Sequence, residues 1–248
     1  MTAPASSVDA FRDAHTEVLQ RIAAACARAG RRPADVTLVA VSKTVEAPRL
    51  RLAVEAGITV LGENRVQETA DKRPAVFGAT WHLVGPLQSN KVKRALQVFD
   101  VIQSVGSLDL GQRLDRLADE VVPGRRVPVL VQVNVDQDPA KAGILPADAA
   151  ALLAGLVALP RLDVRGLMTI GRFGVSETET RATFAGLRAL GERLRQGADG
   201  LGPDLSMGMS DDFEIAVEEG ATIVRVGRAL FGERPHAHDD AGPDHAHG

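Results

Sequence analysis

Lys43 stands at the end of an almost wholly apolar run, Val36-Thr37-Leu38-Val39-Ala40-Val41-Ser42, which predicts a buried parallel strand. An ammonium at the mouth of a dry strand loses hydration, and that favours its neutral amine. A neutral, positioned amine condenses with an aldehyde to a Schiff base. The chain has only five lysines against 24 arginines, and the other four lie in polar or charged stretches. Taken alone, the more ordinary reading is a strand-end lysine whose head reaches water. The remaining strand ends shift that balance.

Polar groups recur at these ends. Gly62-Glu63-Asn64-Arg65 closes a second run, His82 lies inside a third, Asn134 closes a fifth and Met168-Thr169 a sixth. Ser206-Met207-Gly208-Met209-Ser210-Asp211-Asp212 and Arg225-Val226-Gly227-Arg228 follow the last two. Small residues at 206, 208, 210 and 227 let backbone N–H groups approach an anion just before helix N-termini, and barrels often hold phosphate there. Tight turns between helix and strand are the plainer alternative. Asp211 and Asp212 would repel a phosphate, so they are expected to point away and cap a helix, with Asp211 and Glu214 as a capping box. A phosphate anchor and a lysine at one mouth suit a phosphorylated aldehyde, and pyridoxal 5′-phosphate (PLP) meets that description. Arg225 is placed to face its pyridine nitrogen. Arginine only donates, so the nitrogen would stay unprotonated and the ring would be a weak electron sink.

These groups need a scaffold. Strands are expected at roughly 36–42, 58–62, 81–85, 100–105, 127–135, 162–170, 204–208 and 222–227, the seventh having the weakest signal. Val8, Phe11, Val18, Ile22 and Ala29 keep helical spacing up to a stop at Gly30, so an amphipathic helix opens the chain. His15 falls on its apolar stripe as a packing residue. Leu110, Leu114, Leu117 and Val121 share one helical face, as do Phe184, Leu187 and Leu194, and Pro146 suits a helix first turn. Strands alternating with helices point to an α/β fold, a single (β/α)8 TIM barrel with an extra N-terminal helix over residues 1–234. A doubly wound open sheet is the rival.

Composition narrows the function classes. With 248 residues, 45% apolar and 25% charged, the chain is a globular protein, and a formal charge of −3 gives no general pull toward nucleic acid or anionic lipid. No signal peptide is read at the start, and no apolar run is long enough to span a bilayer. One cysteine, Cys26, packs on a helical pattern, excludes an internal disulfide and fits a reducing cytoplasm. Residues 235–248 hold four of the six histidines (His236, His238, His245, His247) without any large apolar anchor, so a disordered His-rich tail is expected. Its metal affinity would be adventitious, and no metal site is assigned. Tyrosine is absent.

Several stretches together resemble the pyridoxal phosphate homeostasis protein family, the PLP-binding proteins related to the alanine racemase N-terminal barrel. They are Leu38 to Thr44, Gly62 to Glu68, Trp81 to Lys91, Gly166 to Ile170, Leu205 to Phe213, Val224 to Gly227 and Leu230 to Gly232, within about residues 10–234. The resemblance implies that Lys43 forms the internal aldimine and that Arg225 faces the pyridine nitrogen. It implies that Ser206, Met207, Ser210, Gly227 and the amide of Arg228 cradle the phosphate, and that Asn64, His82 and Met168 lie near the ring. Arg228 departs from the Thr or Ser usual there; its guanidinium either reaches the phosphate or points to solvent. Thr44-Val45-Glu46 also departs from the usual Lys-Pro continuation.

The resemblance implies a protein that holds and delivers PLP in the cell, without robust turnover and therefore not an enzyme in the ordinary sense. PLP-dependent apoenzymes would be its recipients. The competing reading is an amino-acid racemase or other weak PLP enzyme of the alanine racemase lineage. The racemase's second base is a tyrosine from a second domain, and this chain has neither. A cofactor-free interaction barrel is a third possibility, which colour would separate. Without the dimer-forming second domain, a monomer is expected.

Overall fold

The computed structural model describes residues 7–197 and 199–232. Eight parallel strands close into one barrel in chain order: β1 (Thr37–Val41), β2 (Val60–Glu63), β3 (Thr80–Leu83), β4 (Val101–Val105), β5 (Val127–Gln132), β6 (Leu162–Met168), β7 (Asp204–Ser206) and β8 (Ile223–Val226). Helix α1 (Val8–Arg28) precedes them. Helices α2 (Ala47–Glu55), α3 (Val66–Lys72), α4 (Val92–Val98), α5 (Leu108–Val121), α6 (Ala149–Val157), α7 (Glu177–Gly197) and α8 (Phe213–Glu218) occupy the crossovers, and α9 (Arg228–Phe231) follows β8. The expected barrel is present, and the open-sheet alternative falls with the β1–β8 pairing, Val39 opposite Arg225.

Most strand residues are apolar and buried because each strand packs on two sides. Outward side chains such as Leu61, Trp81, Leu83 and Leu167 join the helices in the main core. Inward, Val39, Val84, Leu130, Met168 and Ile223 form a smaller separate cluster. Gly62 faces the same space, since a Cβ there would sit 2.7 Å from Val39 Cγ1. The polar side chains of His82, Gln103, Ser206 and Arg225 share the barrel interior with this cluster, Val39 opposite Arg225 and Met168 opposite Ser206.

Helix α1 begins where Ser7 Oγ accepts the Ala10 N–H at 3.2 Å and ends before Gly30, whose φ is +65°. Its face of Phe11, Val18, Ile22, Ala25 and Cys26 is buried, and each large apolar side chain so covered stabilises by about 1.5–3 kcal/mol. His15 is half-buried behind it, and burial lowers its pKa. Pro146 opens a short 3-10 turn that leads into α6, as its fixed φ allows.

Two expectations are corrected. The strand expected to run to residue 135 stops at Gln132, and Asn134 lies in the following loop, donating to Asp138 O at 2.8 Å. Asp211 and Glu214 form no capping box. Asp211 pairs with Arg228, Glu214 pairs with Arg21 on α1, and Asp212, the N-cap residue of α8, accepts the Met209 N–H instead. The His-rich tail and the domain end at residue 234 lie outside the described residues.

Candidate functional site

A closed parallel barrel puts every strand C-terminus on one rim, so the polar groups met along the sequence share a single mouth. Lys43 sits two residues past β1, at a corner of the turn closed by Val45 N–H to Ser42 O at 3.0 Å. Thr44, next in that turn, has a φ of +68°, uncommon for a β-branched residue. Asn64 follows β2, and Gly85 passes so close that a Cβ there would lie 2.4 Å from Asn64 O. Met168 ends β6, wholly buried in the inner apolar cluster.

Below the rim, one hydrogen-bonded chain crosses the barrel. Arg225 Nη1 donates to Ser206 Oγ at 2.6 Å, Ser206 Oγ donates to Gln103 Oε1 at 2.6 Å, and Gln103 Nε2 meets His82 Nδ1 at 2.8 Å. Arg225 Nη2 donates to Thr169 O at 2.7 Å, and Thr169 Oγ1 in turn holds Val133 O. Arg225 is buried, and neither contact is to a carboxylate. Burial therefore pushes its pKa down to about 10, partly offset by the charge of Asp212. Burial also pushes the His82 imidazole down to about 4, so it is neutral near pH 7. Because Ser206 Oγ both accepts from Arg225 and donates to Gln103, its hydroxyl is committed to the barrel interior.

The β7–β8 side forms a corner of backbone. Gly208 has a φ of +88°, and a Cβ there would meet Ala216 Cβ at 2.5 Å and Phe213 Cα at 2.9 Å. Only glycine lets the chain turn this tightly under α8. Ser210 Oγ accepts the Gly227 N–H at 3.2 Å, drawing the two loops together. Gly227 is the N-cap residue of α9, whose first N–H groups have no intrahelical acceptor. Met207 is buried and tied back by its N–H to Ile223 O. Arg228 extends to the surface and pairs there with Asp211.

This geometry fits a PLP molecule on three counts. A buried cation with no carboxylate hydrogen-bond partner among the described residues suits an uncharged ring nitrogen as acceptor. A tight glycine turn beside the amide of Arg228, at the start of α9, suits a phosphate. A lysine on the same rim supplies the amine. Among the described residues there is no His, Cys, Asp and Glu cluster fit for a metal, and no helix is long and apolar enough to cross a membrane.

Sequence reasoning missed three residues. Gln103 links Ser206 to His82, and its signal was a polar residue between Val101 and Val105 in an alternating strand. Glu63 stood within a quoted stretch without an assigned role, yet it is fully buried against Ser42 and Lys72. Lys72 lies in a polar stretch, as noted, but its side chain is only 13% exposed.

The chain resembles known proteins over most of its length. Residues 17–235 match the family model of the alanine racemase N-terminal domain. The Pseudomonas aeruginosa pyridoxal phosphate homeostasis protein is 43% identical over 220 residues, covering 88% of this chain and 93% of that protein. PipY of Synechococcus elongatus, solved with PLP bound, is 44% identical with a TM-score of 0.76, covering 87% of this chain and 100% of that one. A Clostridium difficile alanine racemase shares the fold at 17% identity and a TM-score of 0.72, with 60% of its length covered. The chain belongs to the pyridoxal phosphate homeostasis protein family, built on the alanine racemase N-terminal barrel.

Proposed function

We propose that this chain holds PLP at the barrel mouth, covalently through Lys43, and passes it on within the cell rather than turning over a substrate. The observation that carries this reading is the 44% identity spanning all of PipY, a protein whose structure holds PLP. When bound, the group supplies an aldehyde that condenses reversibly with an amine.

The chain's own residues supply the rest. Lys43 Nζ is the nucleophile. Arg225, fixed by Ser206 and Thr169, donates to the ring nitrogen and keeps it unprotonated, which withholds the electron sink that carbanion chemistry needs. Asn64, His82 and Met168 border the ring. Ser210 and the Arg228 amide receive the phosphate beside Gly227, with Ser206 and Met207 lining the corner while the Met207 N–H stays with Ile223 O. The Ser206 hydroxyl stays with Arg225 and Gln103, and the Arg228 guanidinium stays with Asp211. We place the protein in the cytoplasm as a monomer, with PLP-dependent apoenzymes as recipients.

The test is direct. Purified protein given PLP should absorb visible light, and borohydride should fix the cofactor's mass on the Lys43 peptide. Lys43→Ala should lose that adduct entirely. A wild-type chain that stays colourless with excess PLP would end the proposal.

A further inference from the structure

We propose that Glu63 and Lys72 are positioning residues for Lys43, clamping from beneath the turn that carries it; this rests on the proposed covalent role of Lys43. The clamp converges on one peptide group. Ser42 O accepts the Val45 N–H at 3.0 Å, closing the turn, and also accepts Lys72 Nζ at 3.3 Å. Ser42 Oγ donates to Glu63 Oε1 at 2.8 Å, and Lys72 Nζ donates to that same oxygen at 2.9 Å. The residue directly before Lys43 is therefore held at both its carbonyl and its hydroxyl. The residue directly after it, Thr44, keeps its left-handed backbone only because its surroundings dictate it.

Stability alone is a poor reason for this arrangement. Both charges are withdrawn from water, with side-chain exposures of 0% for Glu63 and 13% for Lys72. Glu63 Oε2 is buried with no hydrogen-bond partner among the described residues. A buried ion pair with an unmatched oxygen is usually no better than an apolar pair of the same shape. What the apolar pair lacks is a donor to Ser42 O. That donor is an ammonium, and a buried ammonium needs a counter-charge, which Glu63 provides.

The chemical step sets the need. With the cofactor bound, Lys43 would have to present its amine lone pair to the aldehyde carbon, and both of its N–H hydrogens would leave with the aldehyde oxygen as water. The lone pair must reach that carbon while the phosphate is fixed across the mouth, so a loose turn lowers the fraction of productive encounters.

The test is the double variant Glu63→Gln/Lys72→Met, which removes both charges and keeps the shape. Replacing both partners should leave thermal melting near wild type. PLP uptake, trapped by borohydride on Lys43, should still slow by roughly tenfold, the scale of one lost charge-assisted bond. Amide exchange at Val45 in the PLP-free protein should speed up by a similar factor. Wild-type uptake by the double variant overturns the proposal, whatever the exchange shows. A wild-type chain that never takes PLP at Lys43 sinks the proposed function instead, and Val45 exchange alone then decides whether the clamp exists. Should the double variant fail to fold, Ser42→Ala removes the hydroxyl half of the clamp while Lys72 keeps Ser42 O, and should shift the same two readouts by less. If neither readout shifts, the proposal is overturned.

Discussion

The two sides of the barrel mouth are held in opposite ways. On the β1–β2 side a single ion pair, Glu63 with Lys72, lies out of water and grips the turn bearing Lys43. On the β7–β8 side the gripping is done outside, on α8, by several pairs whose arginine side chains are 36–54% exposed. Arg21 and Arg28 of α1 reach Glu214 and Glu218, while Arg181 and Arg188 of α7 reach Glu218 and Glu219. Arg31 and Arg188 also donate to the carbonyls of Val217 and Glu219. A helix of six residues is too short to stand alone, and its acidic C-terminal end opposes its own dipole. The arginines of its neighbours offset both faults. One side therefore rests on a single contact that cannot be spared, the other on several that share the load.

Removing one partner from the inner pair should have the largest effect. Lys72→Met alone should cost about 3–5 kcal/mol in denaturant unfolding, because Glu63 is left buried without a counter-charge. A loss below about 1 kcal/mol, the range of exposed pairs, would erase the distinction between the two sides.

Arg181→Ala should cost far less. Its side chain is 37% exposed, although Glu218 and Glu219 are only 19% and 12% exposed, so roughly 1 kcal/mol at low salt is expected, fading in about 1 M salt where the screening length is about 3 Å. A cost that persists in high salt would mean that the outer lattice is not screened as its exposure implies.

Acid should separate the sides by sign, with a smaller effect. Hydrogen bonds from Arg21 and Arg28 hold Glu214 and Glu218 below the ordinary glutamate value of 4.5. Their stabilisation is complete above 4.5 and is lost as pH falls through the lowered pKa values. Burial raises Glu63 above 4.5 against the pull of Lys72 and Ser42, so its increment is present below 4.5 and disappears as pH rises through the folded value. Glu214→Gln and Glu63→Gln should therefore change the pH slope of the unfolding midpoint in opposite senses. Equal slopes would count against the comparison.

How much of this was legible beforehand follows from range. The strands announced themselves because each is an apolar run ending in polar residues, so Lys43, Asn64, Ser206 and Arg225 could be placed on a shared rim before any coordinates. Glu63 and Lys72 could not be paired, because their meeting depends on how α3 folds back over β2. Gln103 could not be joined to Ser206, 103 positions away, since that contact crosses the barrel interior and only closure creates it. The capping box failed for a related reason. Asp211 and Glu214 have the right spacing, but Arg228 and Arg21 arrive from distant segments and claim both carboxylates.

The bend at Gly208 leaves that position almost no room to vary. An alanine there would meet two independent obstacles, a backbone sign that L-residues avoid and a neighbour already at contact distance. Relief of the second would lever the short helix away from the wall behind it and open the neighbouring loops. A methyl group at this one bend would thus loosen the proposed phosphate grip without touching its ligand.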